Sequence, residues 1–192
     1  MGCDYTRHTG AGWHFIKNLE NKGVLVLGQV NLARVDERLI HGQVMTTLSN
    51  RSGVNSIFVV DDVVAGDQFM KGVYKTAGSR TGHKTIVMTA DKCKHYWDEF
   101  TFKDYNAILI AKTVDTFYEL VTHGVPMKEL NIGGVPQKDP AAKAISGSVY
   151  LTEADVAKLV EMKNDYGVED IYVQATPSDP KITLDDIVAK FK

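Results

Sequence analysis

The stretch GQVNLARVDERLIHGQVMTTLSN, residues 28–50, decides the fold. GQVNLARV reads as a strand. HGQVMTTLSN reads as a short helix, with Val44 and Leu48 four residues apart and Met45 beside them. Between them lies a charged turn, RVDERLIHG, that carries a single histidine. A strand that passes through a tight turn into a helix is the opening half of a βαβ unit.

The same rhythm continues along the chain. NSIFVVDD (55–62) is an apolar strand ending in two acids, and GDQFMKGVYKTA (66–77) is helical. KTIVMTA (84–90) is a strand, and DKCKHYWDEF (91–100) a helix with Asp91 as its expected N-cap. NAILIAKT (106–113) precedes the helix DTFYELVTHG, which Gly124 closes. KELNIGGV (128–135) and SGSVYLT (146–152) are shorter strands. In the helix TEADVAKLVEMKNDYG, Thr152 caps, Asp155 occupies the capping-box position and Gly167 terminates. EDIYVQATP (169–177) is a last strand and TLDDIVAKF (183–191) a terminal helix. Short apolar strands alternating with helices predict an α/β fold on a parallel sheet covered on both faces. Open sheets of this kind bind ligands at the carboxyl ends of their strands, and His41 falls at the end of the first.

Composition bounds the rest. The chain has 192 residues, 44% of them hydrophobic, with a formal net charge of −2. That suits one domain with one good core, here residues 26–192, and no basic footprint for nucleic acid. Residues 1–25 show weak periodicity and are expected to be a poorly structured N-terminal extension; a start near Leu27 would give a chain opening on GQVNLARV. The two cysteines, Cys3 and Cys93, make neither a disulfide framework nor a metal spacing, which fits a reducing compartment. No apolar run approaches the roughly 20 residues of a membrane helix, so the expected location is cytoplasmic.

A phosphoryl-accepting histidine needs a neutral, exposed ring, donors for the phosphoryl oxygens and an acid to orient the donors or the imidazole. A helix N-terminus supplies backbone N–H groups and a favourable dipole, and an arginine adds a fixed fork of donors. Gly42 lets the backbone approach an anion, Arg38 lies three residues before His41, Arg34 four before that, and Asp36 and Glu37 stand between the arginines. Composition alone leaves open an ordinary turn with a solvated charge cluster. Two other readings also stand: a small-anion-binding regulatory module, and an aspartyl phosphorelay domain using Asp61 or Asp62. The plainer reading of Asp61 and Asp62 is a strand end beside the His41 loop, that of Gly133–Gly134 a tight turn. Thr176 and Ser178 are further candidate phosphate donors. His83 is expected to be exposed, His95 to pack among the aromatic residues of its helix, and His123 to sit at a helix C-terminus.

ARVDERLIHGQV closely resembles the active-site signature of the IIB component of the mannose/fructose/sorbose family of the sugar phosphotransferase system. VVDD (59–62), GVPMKELNIGGV (124–135), VYLTEADV (149–156) and ATPSDPKITL (175–184) resemble that family's later landmarks, in its order. The resemblance covers roughly residues 28–192. It implies a three-layer α/β/α sandwich and a phosphocarrier, a protein-phosphohistidine–sugar phosphotransferase subunit. In it, His41 is transiently phosphorylated at Nδ1 by a phosphorylated IIA partner. The phosphoryl group then passes to a sugar held by membrane IIC and IID subunits, at the inner face of the membrane. Arg38 matches the family arginine that contacts the phosphoryl group, with Asp36, Arg34, Gly42 and Gln43 in the same loop; Glu37 stands where many members have Asp. No metal, nucleotide or other cofactor is implied, and a homodimer is allowed.

Overall fold

The computed structural model describes residues 27–192, so the expectation for residues 1–25 lies outside the described residues. β1 (Gln29–Asp36) is followed by α1 (Gly42–Ser49), β2 (Ser56–Val60), α2 (Asp62–Gly66), α3 (Gln68–Ser79), β3 (Lys84–Met88), α4 (Ala90–Phe100), β4 (Asn106–Ala111) and α5 (Val114–His123). Then come β5 (Glu129–Gly134), β6 (Lys143–Ser146), β7 (Val149–Leu151), α6 (Glu153–Asp165), β8 (Asp170–Val173), β9 (Ile182–Thr183) and α7 (Leu184–Ala189). The main sheet has the order β3-β2-β4-β1-β5-β8-β9. Every pairing in it is parallel except β8 with β9.

Burial explains why these runs are strands. All five residues of β2 are buried, as are the last five of β4, which is what a parallel strand covered on both faces requires. Alternation then sorts their side chains into two cores. Ala33, Val35, Phe58, Leu109, Leu130 and Ile132 pack against residues of α4, α5, α6 and α7, such as Cys93, Phe117, Leu159 and Ile187. Leu32, Ile57, Val59, Val87, Ile108 and Ile110 pack on the opposite face with Val64 of α2 and with Leu48, Met70 and Tyr74 of α1 and α3. Connections that step toward β3 place their helices on the second face; those that step toward β9 place theirs on the first. Right-handed crossovers demand that division. β1 steps one way and its neighbour β5 the other, so the sheet's switch point lies at their carboxyl ends.

Helix termini follow local chemistry. Thr113 accepts from the Thr116 N–H to start α5, and Gly124 ends it at φ 107°, a left-handed conformation open to glycine. Thr152 and Asp155 form the expected capping box of α6. Asp91 does not cap α4: Thr89 does, by accepting from the Lys92 N–H, and the helix begins at Ala90. Asp91 instead sits in the first turn, where a carboxylate suits the dipole. Three elements carry too few residues to show a period and have no counterpart in the sequence reading: α2, the strand β6 that pairs antiparallel with β7, and β9.

Two histidine expectations change. His83 is half-buried, with Nε2 2.9 Å from the Ser49 carbonyl. His95 points outward toward Glu99, while Tyr96 packs in its stead. His123 does occupy the end of α5, 2.9 Å from Asp98.

Candidate functional site at the end of the central strand

β1 delivers two side chains, Arg34 and Asp36, to the switch point in i, i+2 register. Arg34 and Asp36 both point to the second face, since Val35 between them faces the first core. Asp36 is 0% exposed and Arg34 3%. Arg34 Nη2 donates to Asp36 Oδ2 at 2.9 Å and to the Ala175 carbonyl at 2.9 Å; Nη1 donates to Asn131 Oδ1 and to the Gln174 carbonyl. Burial pushes the Arg34 guanidinium below its ordinary value, opposed by the charge of Asp36 and its hydrogen bond. Both of its terminal nitrogens are engaged by protein acceptors, so the side chain serves as a buried support.

This network explains the two glycines of β5, which form no tight turn but lie in the strand itself. A Cβ on Gly133 would stand 1.9 Å from Arg34 Nη2, and one on Gly134 2.9 Å from Asp36 Oδ1. Glycine at both is the condition for a charged pair to lie flat against a neighbouring strand.

After Asp36 the chain turns sharply. Leu39 adopts φ 55°, and its N–H donates to the Asp36 carbonyl at 2.9 Å. Leu39 and Ile40 are buried in the second core, which pins the turn. His41 is the N-cap of α1, with extended backbone and no capping bond from its side chain. The ring is 23% exposed, less open than a freely solvated histidine. Its Nδ1 lies 2.9 Å from the Leu39 carbonyl, and its Nε2 lies 3.8 Å from Asp36 Oδ2. Nε2 is inaccessible and has no hydrogen-bond partner among the described residues. At Gly42, φ 51°, no described residue lies within 4 Å of where a Cβ would stand. The Gln43 side chain lies outside what the structure describes.

Arg38 is the arginine this site exposes, at 59%. Its backbone N–H and its Nε both approach Asp36 Oδ1, at 3.1 and 3.3 Å. Among the described residues, its Nη1 and Nη2 have no hydrogen-bond partner. Around this centre, Glu37 accepts from Lys138 at 2.8 Å and donates its N–H to the Gly134 carbonyl.

Asp61 and Asp62 are committed to structure. Asp61 accepts from the Val64 N–H and faces Lys112 at 3.1 Å; Asp62 accepts from the Ala90 N–H. Thr176 and Ser178 bond to one another, and Thr176 also to Asp179, in the loop after β8. Thr176 lines a cavity of about 230 Å³ beneath Arg34, shared with Arg51, Glu129, Asn131 and Tyr172. Arg51 pairs with Glu129 there, and burial and the Glu129 hydrogen bond push the Tyr172 phenol up. Asn131, Gln174, Ala175 and the Leu39 carbonyl escape a sequence reading because they act from distant strands or through the backbone.

Residues 30–192 match the family model described as the PTS system sorbose subfamily IIB component. The chain belongs to this family of IIB components of the sugar phosphotransferase system. It is 31% identical over 155 residues to the N-acetylgalactosamine-specific phosphotransferase enzyme IIB component 1 of Escherichia coli K12, covering 81% of this chain and 96% of that one. It is 32% identical over 161 residues to the sorbose-specific EIIB component of Lacticaseibacillus casei, covering 84% and 94%. The crystal structure of manxB from Thermoanaerobacter tengcongensis superposes with a TM-score of 0.78 at 39% identity, over 86% of this chain and 98% of that one. The IIBSor domain of the Klebsiella pneumoniae sorbose permease does so with a TM-score of 0.74 at 28% identity, over 84% and 97%. The IIB component is thus a phosphocarrier subunit, a phosphotransferase, and neither an anion-binding regulator nor an aspartyl relay is favoured. Among the described residues, no helix is long and apolar enough to cross a membrane.

Proposed function

We propose that His41 is the phosphoryl carrier of this IIB component: Nδ1 accepts the group from a phosphohistidine on a IIA protein and passes it to a sugar bound by the IIC and IID membrane subunits. The observation that carries this reading is the position of His41. It caps a helix at the switch point, beside one exposed arginine and one fully buried carboxylate. Histidine-to-histidine transfer asks for positioning and charge stabilisation rather than covalent help. Arg38 supplies a donor fork, the first turn of α1 supplies backbone N–H groups, and Gly42, with no side chain, leaves room for phosphoryl oxygens. Asp36 holds Arg38 and faces the imidazole, and Arg34 holds Asp36.

A relative supports the donor. The mannose-specific EIIAB component of Escherichia coli K12, 28% identical over 161 residues that make up 49% of its length, joins IIA and IIB in one chain by name. A separate IIA protein would meet this chain at the same rim, on the cytoplasmic side of the membrane.

Intact-mass spectrometry tests the reading. The protein is incubated with phosphoenolpyruvate, the general phosphotransferase proteins and a matched IIA. A single phosphoryl adduct, lost in mild acid and absent from His41→Ala, is the expected result. An adduct that persists in the variant would move the carrier elsewhere, and no adduct with an active IIA would leave an anion-binding module.

A further inference from the structure

Neither nitrogen of the resting His41 ring is offered to a phosphoryl donor. Nδ1 faces the Leu39 carbonyl at 2.9 Å, and a carbonyl can only accept, so Nδ1 carries a proton there. Nε2 is inaccessible and lacks a hydrogen-bond partner among the described residues, yet Asp36 Oδ2 lies only 3.8 Å from it.

We propose that the Leu39 carbonyl and the Asp36 carboxylate form a two-position hydrogen-bond switch for this ring. The unphosphorylated ring donates from Nδ1 to Leu39, and the phosphorylated ring turns to donate from Nε2 to Asp36. The proposal rests on His41 being the carrier through Nδ1. It makes Leu39, through its backbone, and Asp36 positioning residues for the transfer.

Both ends of the switch are fixed. Leu39 holds φ 55°, a left-handed conformation that a branched side chain seldom takes. Its N–H bond to Asp36 and its burial in the second core keep it there. The carbonyl direction is therefore set by packing. Asp36 is inaccessible, with Arg34 on Oδ2 and both the N–H and Nε of Arg38 on Oδ1. The ring is the part that can move.

The chemistry forces the move. Attack through Nδ1 needs its lone pair, so the Nδ1 proton leaves to solvent and a proton is taken up at Nε2. The phosphorus–nitrogen bond of the donor then breaks, its electron pair returns to the donor nitrogen, and a new bond forms at Nδ1. The phosphorylated Nδ1 has no hydrogen for the Leu39 carbonyl, and phosphoryl oxygens at that distance would be repelled by it. The neutral phosphorylated ring bears its proton on Nε2. Closing from 3.8 Å to an ordinary N–H···O length takes a shift of about 1 Å. The loaded and empty carriers then differ in ring position, so donor and acceptor proteins meet different surfaces.

The test uses full-length protein with ¹⁵N-labelled histidine and long-range ¹H–¹⁵N correlation spectra, His41 being assigned by comparison with His41→Ala. At pH 9, where imidazole is neutral, the empty protein is expected to show a protonated Nδ1 and a bare Nε2. After phosphorylation by the donor system, or chemically by phosphoramidate, the adduct is expected on Nδ1 with a slowly exchanging Nε2–H. In Asp36→Asn, the other cross-peaks report whether the fold is retained. Faster exchange of the Nε2–H alone then supports Asp36, and unchanged exchange removes it from the switch; wild-type spectra decide the rest should the variant not fold. An empty ring protonated on Nε2 overturns the switch, as does an adduct on Nε2, which leaves the carrier role intact. No adduct on His41 by either route overturns both.

Discussion

Arg34 and Asp36, two residues apart on β1, form an ion pair buried beneath His41, with Nη2 2.9 Å from Oδ2. Both side chains are buried, and each has further partners: Arg34 has Asn131 and two carbonyls, and Asp36 has Arg38. Breaking such a pair by removing one partner leaves a buried charge and typically costs about 3–5 kcal/mol. Arg34→Leu and Asp36→Asn are each expected to lose stability of that order in urea unfolding. The double variant is expected to lose less than the sum, because the second change removes the stranded partner. Additive losses would show that the two residues are not coupled.

Gly133 tests the same network from the neighbouring strand. Gly133→Ala places a methyl 1.9 Å from a guanidinium that four acceptors hold in position. The overpacking is expected to cost about 1–3 kcal/mol. Gly72 gives the opposite sign. It lies exposed in α3, with no described residue beyond its own helix within 4 Å of an added Cβ. Gly72→Ala is expected to stabilise by about 0.5–1 kcal/mol through helix propensity. Thermal unfolding of the two variants side by side checks both.

Arg38 separates catalysis from stability. It is exposed and makes one long contact to Asp36 through Nε, so Arg38→Ala is expected to change stability by no more than about 0.5 kcal/mol. Loss of a donor to the transferring group is worth about 10²–10³ in rate. Quench-flow measurement of transfer from phosphorylated IIA should show that loss, with Arg38→Lys intermediate because the ammonium lacks the planar fork. Wild-type rates in Arg38→Ala would exclude the arginine from the phosphoryl site.

Cys93 carries a pH-dependent contribution. Burial in the first core pushes its thiol up to about 12. An unfolded thiol ionises near 8.5. Between these values the unfolded state has lost a proton that the folded state keeps, so stability falls as pH rises through that window. The slope is at most about 1.4 kcal/mol per pH unit. Cys93→Ala is expected to be less stable at neutral pH but to lose less from pH 9 to 11 than the parent. Iodoacetamide followed by peptide mapping should leave Cys93 unmodified in the native protein at pH 9 and label it in urea.

Local pattern made much of the fold legible. The apolar runs at 56–60 and 106–111, the Thr152–Asp155 capping box and the glycine stop at 124 each depend on residues a few positions apart. The turn carrying His41 was legible for the same reason, because strand, charged turn and helix follow one another directly. α2 and β6 were not legible, since segments of four or five residues hold too little periodicity to rise above a loop.

Short-range pattern along the chain requires that strand and helix alternate, that the sheet is parallel and covered on both faces, and that His41 stands at the end of the first strand. Side-chain periodicity records burial, and burial sorts the faces. Tertiary structure alone decided that Arg34 is a buried support while Arg38 is exposed. It also put Gly133 and Gly134 in a strand under that support, set the Nδ1 of His41 against the Leu39 carbonyl and buried its Nε2. Those outcomes hang on contacts to Asn131, Gln174 and Ala175, 97 to 141 residues away in the chain, and on one backbone carbonyl held at φ 55° by core packing. Contacts of that kind are set by which strands lie side by side and in what register, and no pattern of neighbouring residues encodes them.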